Sequence, residues 1–92
     1  MIKSIKHKGL KDLFYKSHVA GVQADHVNRL KNLLALLNAA ETVDNMAFPG
    51  SQLHPLKGQL KDHWNVRVDG NWRLTFKFID GDAYIVDYQD YP

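Results

Sequence analysis

No cysteine occurs in the 92-residue chain. That excludes the disulfide staples of small secreted domains and makes the cytoplasm the expected setting. No apolar run approaches the roughly 18 residues that suggest a membrane span. The opening MIKSIKHKGLKD lacks the apolar centre of a secretory signal. Histidines 7, 18, 26, 54 and 63 show no ligand spacing such as HExxH, so no metal site is expected. A nucleophile elbow and a Gly-rich phosphate loop are missing too, so nucleotide hydrolysis recedes and no cofactor is implied.

What is present is an uneven distribution of charge. Residues 1–40 carry seven Lys and Arg against Asp12 and Asp25, whereas residues 78–92 carry Asp80, Asp82, Asp87 and Asp90 and no basic side chain. A basic first half suits a polyanion, because phosphates reward clustered cations, and it equally suits a solvated helix surface. At this length one domain with one core is expected, spanning 1–92.

The periodicity changes once along the chain. MIKSIKH alternates apolar and basic residues, as an edge strand does. Leu10, Leu13 and Phe14 then have the spacing of a short helix, with Gly21 as its expected stop. Val27, Leu30, Leu33, Leu34 and Leu37 form one stripe of a second helix over about 23–40. The segment 41–63 is irregular, broken at Pro49-Gly50, Pro55 and Gly58. Three period-two runs follow, joined by VDGNW and IDGDA, each with the Asp-Gly of a hairpin. The expected fold is α+β: two N-terminal helices on one face of a mainly antiparallel sheet, in the order β-α-α-β-β-β.

The apolar pattern fixes a register, since a one-residue slip would turn every side chain over. A three-residue loop over 69–71 pairs Val68 with Trp72, Val66 with Leu74 and Trp64 with Phe76, which sets Arg67 opposite Arg73 on the other face. Opposed like charges are unfavourable unless an anion visits between them. A three-residue loop over 80–82 pairs Phe78 with Tyr84, Phe76 with Val86 and Leu74 with Tyr88, sending Asp87, Gln89 and Tyr91 to the arginine face. There Asp87 would either serve the site or neutralise an arginine.

The stretch LHPLKG holds His54 and Lys57 just ahead of this meander. An imidazole titrates near neutral pH and can act as acid or base, a lysine supplies a point charge for phosphate, and arginines supply forked donors. A structural histidine and a turn-shaping Pro55 would explain the same stretch without chemistry.

The combination IKSIKHKGLKDLF, LHPLKG, NWRLTF and GDAYIVDYQDY closely resembles, nearly end to end, the HigB-type toxins of the RelE superfamily. These are ribosome-dependent messenger-RNA endonucleases of type II toxin–antitoxin pairs. The resemblance implies a RelE-like domain and metal-independent transesterification by a ribose 2′-OH. It assigns catalytic parts to His54, Lys57, Asp90 and Tyr91, a phosphate contact to Arg73, and an approach to RNA at Asn71; Arg67 is added by the register. The partners implied are a HigA-type helix-turn-helix antitoxin, the ribosomal A site with its messenger, and operator DNA through the antitoxin, with no membrane. Close relatives end in Asp-Tyr-His, whereas this chain ends QDYP. Pro92 has no titratable group, so a weakened or inactive homologue acting as an antitoxin-binding partner is the alternative.

Overall fold

Leucines recurring at three- and four-residue intervals fall on one side of a helix. In the computed structural model, which describes residues 1–56, 58 and 62–90, that helix is α2, Val27–Ala39, with Leu30, Leu33, Leu34 and Leu37 buried. A single 3-10 turn, Ala24–His26, leads into it. The first helix, α1, spans Lys8–Lys16 and buries Leu10 and Leu13. The His7 ring caps it, Nδ1 accepting the Leu10 N–H at 3.1 Å. Ser17, in a left-handed conformation, closes its other end, and the Ser17 and His18 amides donate to the Leu13 and Asp12 carbonyls.

The expected stop at Gly21 is therefore four residues late, and that glycine has a different task. A Cβ placed on Gly9 would lie 2.1 Å from the Gly21 carbonyl oxygen, and one on Gly21 would lie 2.4 Å from the Gly9 Cα. The start of α1 and the loop after it touch backbone to backbone.

The sheet has the order β1-β2-β3-β4, all antiparallel, with β1 at His54–Pro55, β2 at His63–Asp69, β3 at Trp72–Ile79 and β4 at Asp82–Asp90. Its inner face buries Val66, Leu74, Phe76, Val86 and Tyr88 against the leucines of both helices. The N-terminal segment, expected as an edge strand, instead makes two isolated parallel bridges to β4, Ile2 to Ala83 and Ile5 to Val86. Ile85, in a left-handed conformation (φ 53°), kinks β4 between those bridges, and its amide bonds the Ser4 hydroxyl. The break in β4 prevents a continuous ladder. No helix of the described residues is long and apolar enough to cross a membrane.

The register expected for β2 and β3 holds at Trp64–Phe76, Val66–Leu74 and Arg67–Arg73. At the turn Asp69, not Val68, faces Trp72, and a bulge between Arg67 and Asp69 absorbs the difference. The second hairpin departs further. Asp80 and Gly81 both take positive φ, 52° and 82°, as a two-residue hairpin turn demands. Ile79 therefore pairs with Asp82 and Phe78 with Ala83, replacing the expected three-residue loop and the Phe78–Tyr84 pair. The extra residue at Ile85 then shifts the register by one, so Leu74 meets Tyr88 as expected and Asp87 stays off the core face. The turn prefers one register and the core another; the bulge satisfies both.

The segment read as irregular contributes β1 and is fastened from α2. The Arg29 guanidinium donates to the Arg67 and Gly50 carbonyls at 3.0 and 3.3 Å and sits 5.8 Å from the centre of the Phe48 ring. Arg29 is thus an internal staple. Gly50 takes φ 85° in the turn, which Ser51 closes by bonding Phe48 in both directions.

Two stability predictions follow from these contacts. Gly9→Ala should lower unfolding stability by about 3 kcal/mol, the upper end of overpacking costs, read as a shifted urea midpoint at constant slope. Burial raises the Tyr88 phenol above its ordinary 10.0, partly offset by a hydrogen bond from the Gln23 backbone. Above pH 10 the unfolded chain releases this proton while the folded chain keeps it. Stability should accordingly fall as pH rises beyond that point, and Tyr88→Phe should flatten the alkaline limb of a stability–pH curve.

Candidate active site

Paired residues on adjacent strands share a face, and strands stand about 4.8 Å apart. The pairings His54–Asn65, Asn65–Thr75 and Thr75–Asp87 therefore make one row across all four strands, on the face away from the helices. Beside it runs a second row, Arg67–Arg73–Gln89. Asn65 and Thr75 are short and buried, forming a floor beneath the longer arginines. Gln89 reaches over that floor, its amide donating to the Thr75 hydroxyl at 3.1 Å.

His54 is exposed at the end of the first row. Its Nδ1 lies 2.7 Å from the Gln52 carbonyl oxygen, and its own carbonyl accepts the Asn65 side-chain amide at 3.3 Å. A carbonyl only accepts, so the proton of the neutral ring belongs on Nδ1 and the lone pair on Nε2. Gln52 can place its carbonyl there because it adopts φ 49°, a left-handed conformation uncommon outside glycine. Its side chain reaches the other way, Oε1 accepting from Arg73 Nη1 at 3.4 Å. One residue thus ties the imidazole to the arginine row.

Among the described residues the opposed arginines carry little compensation. Arg73 meets a neutral amide in Gln52. Arg67 meets a carboxylate, but loosely, Nη2 to Asp69 Oδ1 at 3.9 Å. Asp87, for which neutralising an arginine is one of two expected parts, has its carboxylate accept the Tyr88 backbone N–H at 2.9 Å. Two forked cations on the same face as an imidazole with a lone pair on Nε2 can grip a phosphodiester and take a proton from a hydroxyl next to it.

The structure brings His54, Arg67 and Arg73 together on one face and sets Asn71 at the exposed β2–β3 turn beyond the arginine row. Asp90 is elsewhere: it pairs with Trp72, so the pleat turns it to the helix side. Lys57, Tyr91 and Pro92 lie outside the described residues. Among the described residues no three His, Asp or Glu side chains gather closely enough to hold a metal ion. Gln52 and Asn65 went unnoticed in the sequence, the first because nothing in SQLH announces a left-handed glutamine. Asn65 shares the open face with Arg67 by alternation along β2, which is the one signal the sequence holds for it.

Comparison with known proteins identifies a family. The family model described as the RelE-like toxin of the type II toxin–antitoxin system HigB matches residues 3–92. The protein named Endoribonuclease HigB from Proteus vulgaris is 47% identical over 91 residues, covering 99% of each chain. Toxin HigB-1 from Vibrio cholerae serotype O1 is 35% identical over 57 residues, 61% of this chain and 60% of that one. Among solved structures, a histidine-to-glutamine mutant of YafQ from E. coli superposes with a TM-score of 0.57 at 25% identity, covering 96% of this chain and 89% of that one. With a match across 3–92, an imidazole and paired arginines on the open sheet face, and a RelE-like layer order, the chain belongs to the HigB-like toxins of type II toxin–antitoxin systems.

Proposed function

We propose that the chain is a ribosome-dependent endoribonuclease that cleaves messenger RNA during translation, held silent in the cytoplasm by a small antitoxin of the helix-turn-helix kind. The observation that supports this most is the His54 tautomer: with Nδ1 committed to the Gln52 carbonyl, Nε2 is left as the acceptor, on the face of two arginines that are under-compensated among the described residues.

The reaction is an intramolecular transesterification. A ribose 2′-OH forms a new bond to the adjacent phosphorus, the bond from phosphorus to the 5′-oxygen breaks, and a cyclic phosphate and a 5′-OH result. His54 Nε2 takes the 2′-OH proton, and an acid returns one to the 5′-oxygen. Arg73, with Arg67 opposite, bears the extra charge of the five-coordinate phosphorus. No redox step or metal is invoked. Likeness to the family adds Lys57 and Tyr91 as charge-stabilising and nucleotide-positioning groups. Asp90 stands on the helix side, across from Trp72 and away from the arginine face, and takes no part in the chemistry proposed. The in-line geometry such a reaction requires is supplied by the ribosome holding the messenger extended, so the toxin itself can remain small and only weakly basic.

The terminal Pro92 favours a second reading, in which the fold and antitoxin contact persist without chemistry. One set of measurements separates the two. Purified protein on programmed ribosomes should cut the messenger, with kcat falling by about 100-fold or more in His54→Ala, the usual range for a general base. Arg73→Ala should lose a comparable factor, as for a removed charge-stabilising donor. Cleavage that appears only in Pro92→His would establish the second reading, and cleavage of naked RNA with no effect of ribosomes would end the first. In parallel, long-range 1H–15N NMR should show His54 protonated at Nδ1, and Gln52→Val should shift that balance towards Nε2, since a β-branched residue disfavours the left-handed backbone that aims the carbonyl at the ring.

A further inference from the structure

A second imidazole, unused in the chemistry above, sits buried on the helix side of the sheet. His26 is 4% exposed, at the last residue of the 3-10 turn and the cap of α2. Its Nδ1 lies 2.6 Å from the Tyr88 hydroxyl, and its Nε2 lies 3.4 Å from Asp69 Oδ2. The Gln23 amide also reaches the Tyr88 oxygen, at 3.4 Å. These bonds have one consistent direction. A carboxylate only accepts, so the neutral ring carries its proton on Nε2 and gives it to Asp69. The Nδ1 lone pair then takes the Tyr88 hydroxyl proton, while the phenol oxygen accepts from the Gln23 N–H. This is the tautomer opposite to that of His54.

The ring is also fixed by aromatic neighbours. Trp72 meets it edge-on at 5.7 Å and stacks on Tyr88 at 4.5 Å. A buried ring held on three sides is a fixed point, whereas the Asp69 side chain it grips is 66% exposed. Asp69 opens the β2–β3 turn that carries Asn71, and its other oxygen faces Arg67 Nη2 at 3.9 Å.

We infer that His26 is a positioning residue: anchored by Tyr88, it holds Asp69 and through it the β2–β3 turn, keeping Asn71 and the Arg67 guanidinium set for RNA. The two faces of the sheet are joined at that carboxylate. Asp69 held by His26 stays at arm's length from Arg67, which leaves the guanidinium charge available to a phosphate. The assignment rests on the RNA-cleaving reading of the open face, so its test has one readout independent of cleavage.

Asp69→Ala removes the acceptor from an exposed side chain and leaves no hole, so it remains informative should His26→Gln fold poorly. For wild type, both single variants and the double variant, amide hydrogen exchange over 67–72 is measured by NMR, and kcat and KM on programmed ribosomes. Wild-type His26 should show a proton on Nε2. Each single variant should speed exchange at Gly70 and Asn71 and lower kcat, both by about tenfold, with KM nearly unchanged, as expected when bound substrate is merely misplaced. The double variant should be no worse than the worse single, since both changes cut one chain of contacts. Unchanged exchange at Gly70 and Asn71 in Asp69→Ala, or losses that multiply, would overturn the assignment. A wild type that cuts nothing while the variants still loosen the turn would sink the nuclease reading and leave the clamp standing.

Discussion

The pairing of β2 with β3 at Arg67 and Arg73 is the constraint on which the site depends. The pleat allows each strand residue one face only, and the helices must cover whichever face is apolar. Once Val66 meets Leu74 under the leucines of α2, the arginines have nowhere to go but the opposite face, side by side. Their repulsion is the cost of burying the core in that register, and hydrophobic burial of several large side chains outweighs a solvent-screened pair of like charges. The same register carries His54, through Asn65, onto the arginine face. Core packing and site geometry are one decision.

Much of this could be read from the chain because period-two and helical patterns report burial directly. The α2 stripe, the meander and the opposed arginines are all consequences of which side chains avoid water. What escaped were features where the backbone answers to something else. The Asp80-Gly81 turn demands two residues, a local preference that the apolar pattern does not express, and the conflict surfaces as a left-handed Ile85. Gly21 looks like a helix stop, yet its lack of a side chain serves a contact with Gly9 that only three-dimensional proximity creates. Gln52 has no local signature at all. Asp90 followed from likeness to a family rather than from alternation, and alternation puts it across from Trp72.

Histidine illustrates how environment divides one chemistry into several tasks. His7 accepts from the first turn of α1, His26 sits between a phenol and a carboxylate, and His54 donates to a carbonyl at the sheet edge. Each ring has its tautomer set by its fixed partner, and only at His54 does the remaining nitrogen belong to an exposed side chain on the arginine face. Function is assigned by what the other nitrogen is left to do.

Proline at position 55 has a consequence for how other proteins can meet this fold. Leu56 donates its amide inward to His63, and bonding alternates along an antiparallel edge, so the residue before it turns its amide position outward. There the chain has no N–H to offer. At the far edge, β4 already exchanges backbone bonds with the N-terminal segment through Lys3, Ala83, Lys6 and Val86. Both borders of the sheet are thus poor templates for an added strand, which guards a small basic protein against edge-to-edge association. A partner that added a strand would have to pair at Pro55 without an N–H or displace the N-terminal segment from β4.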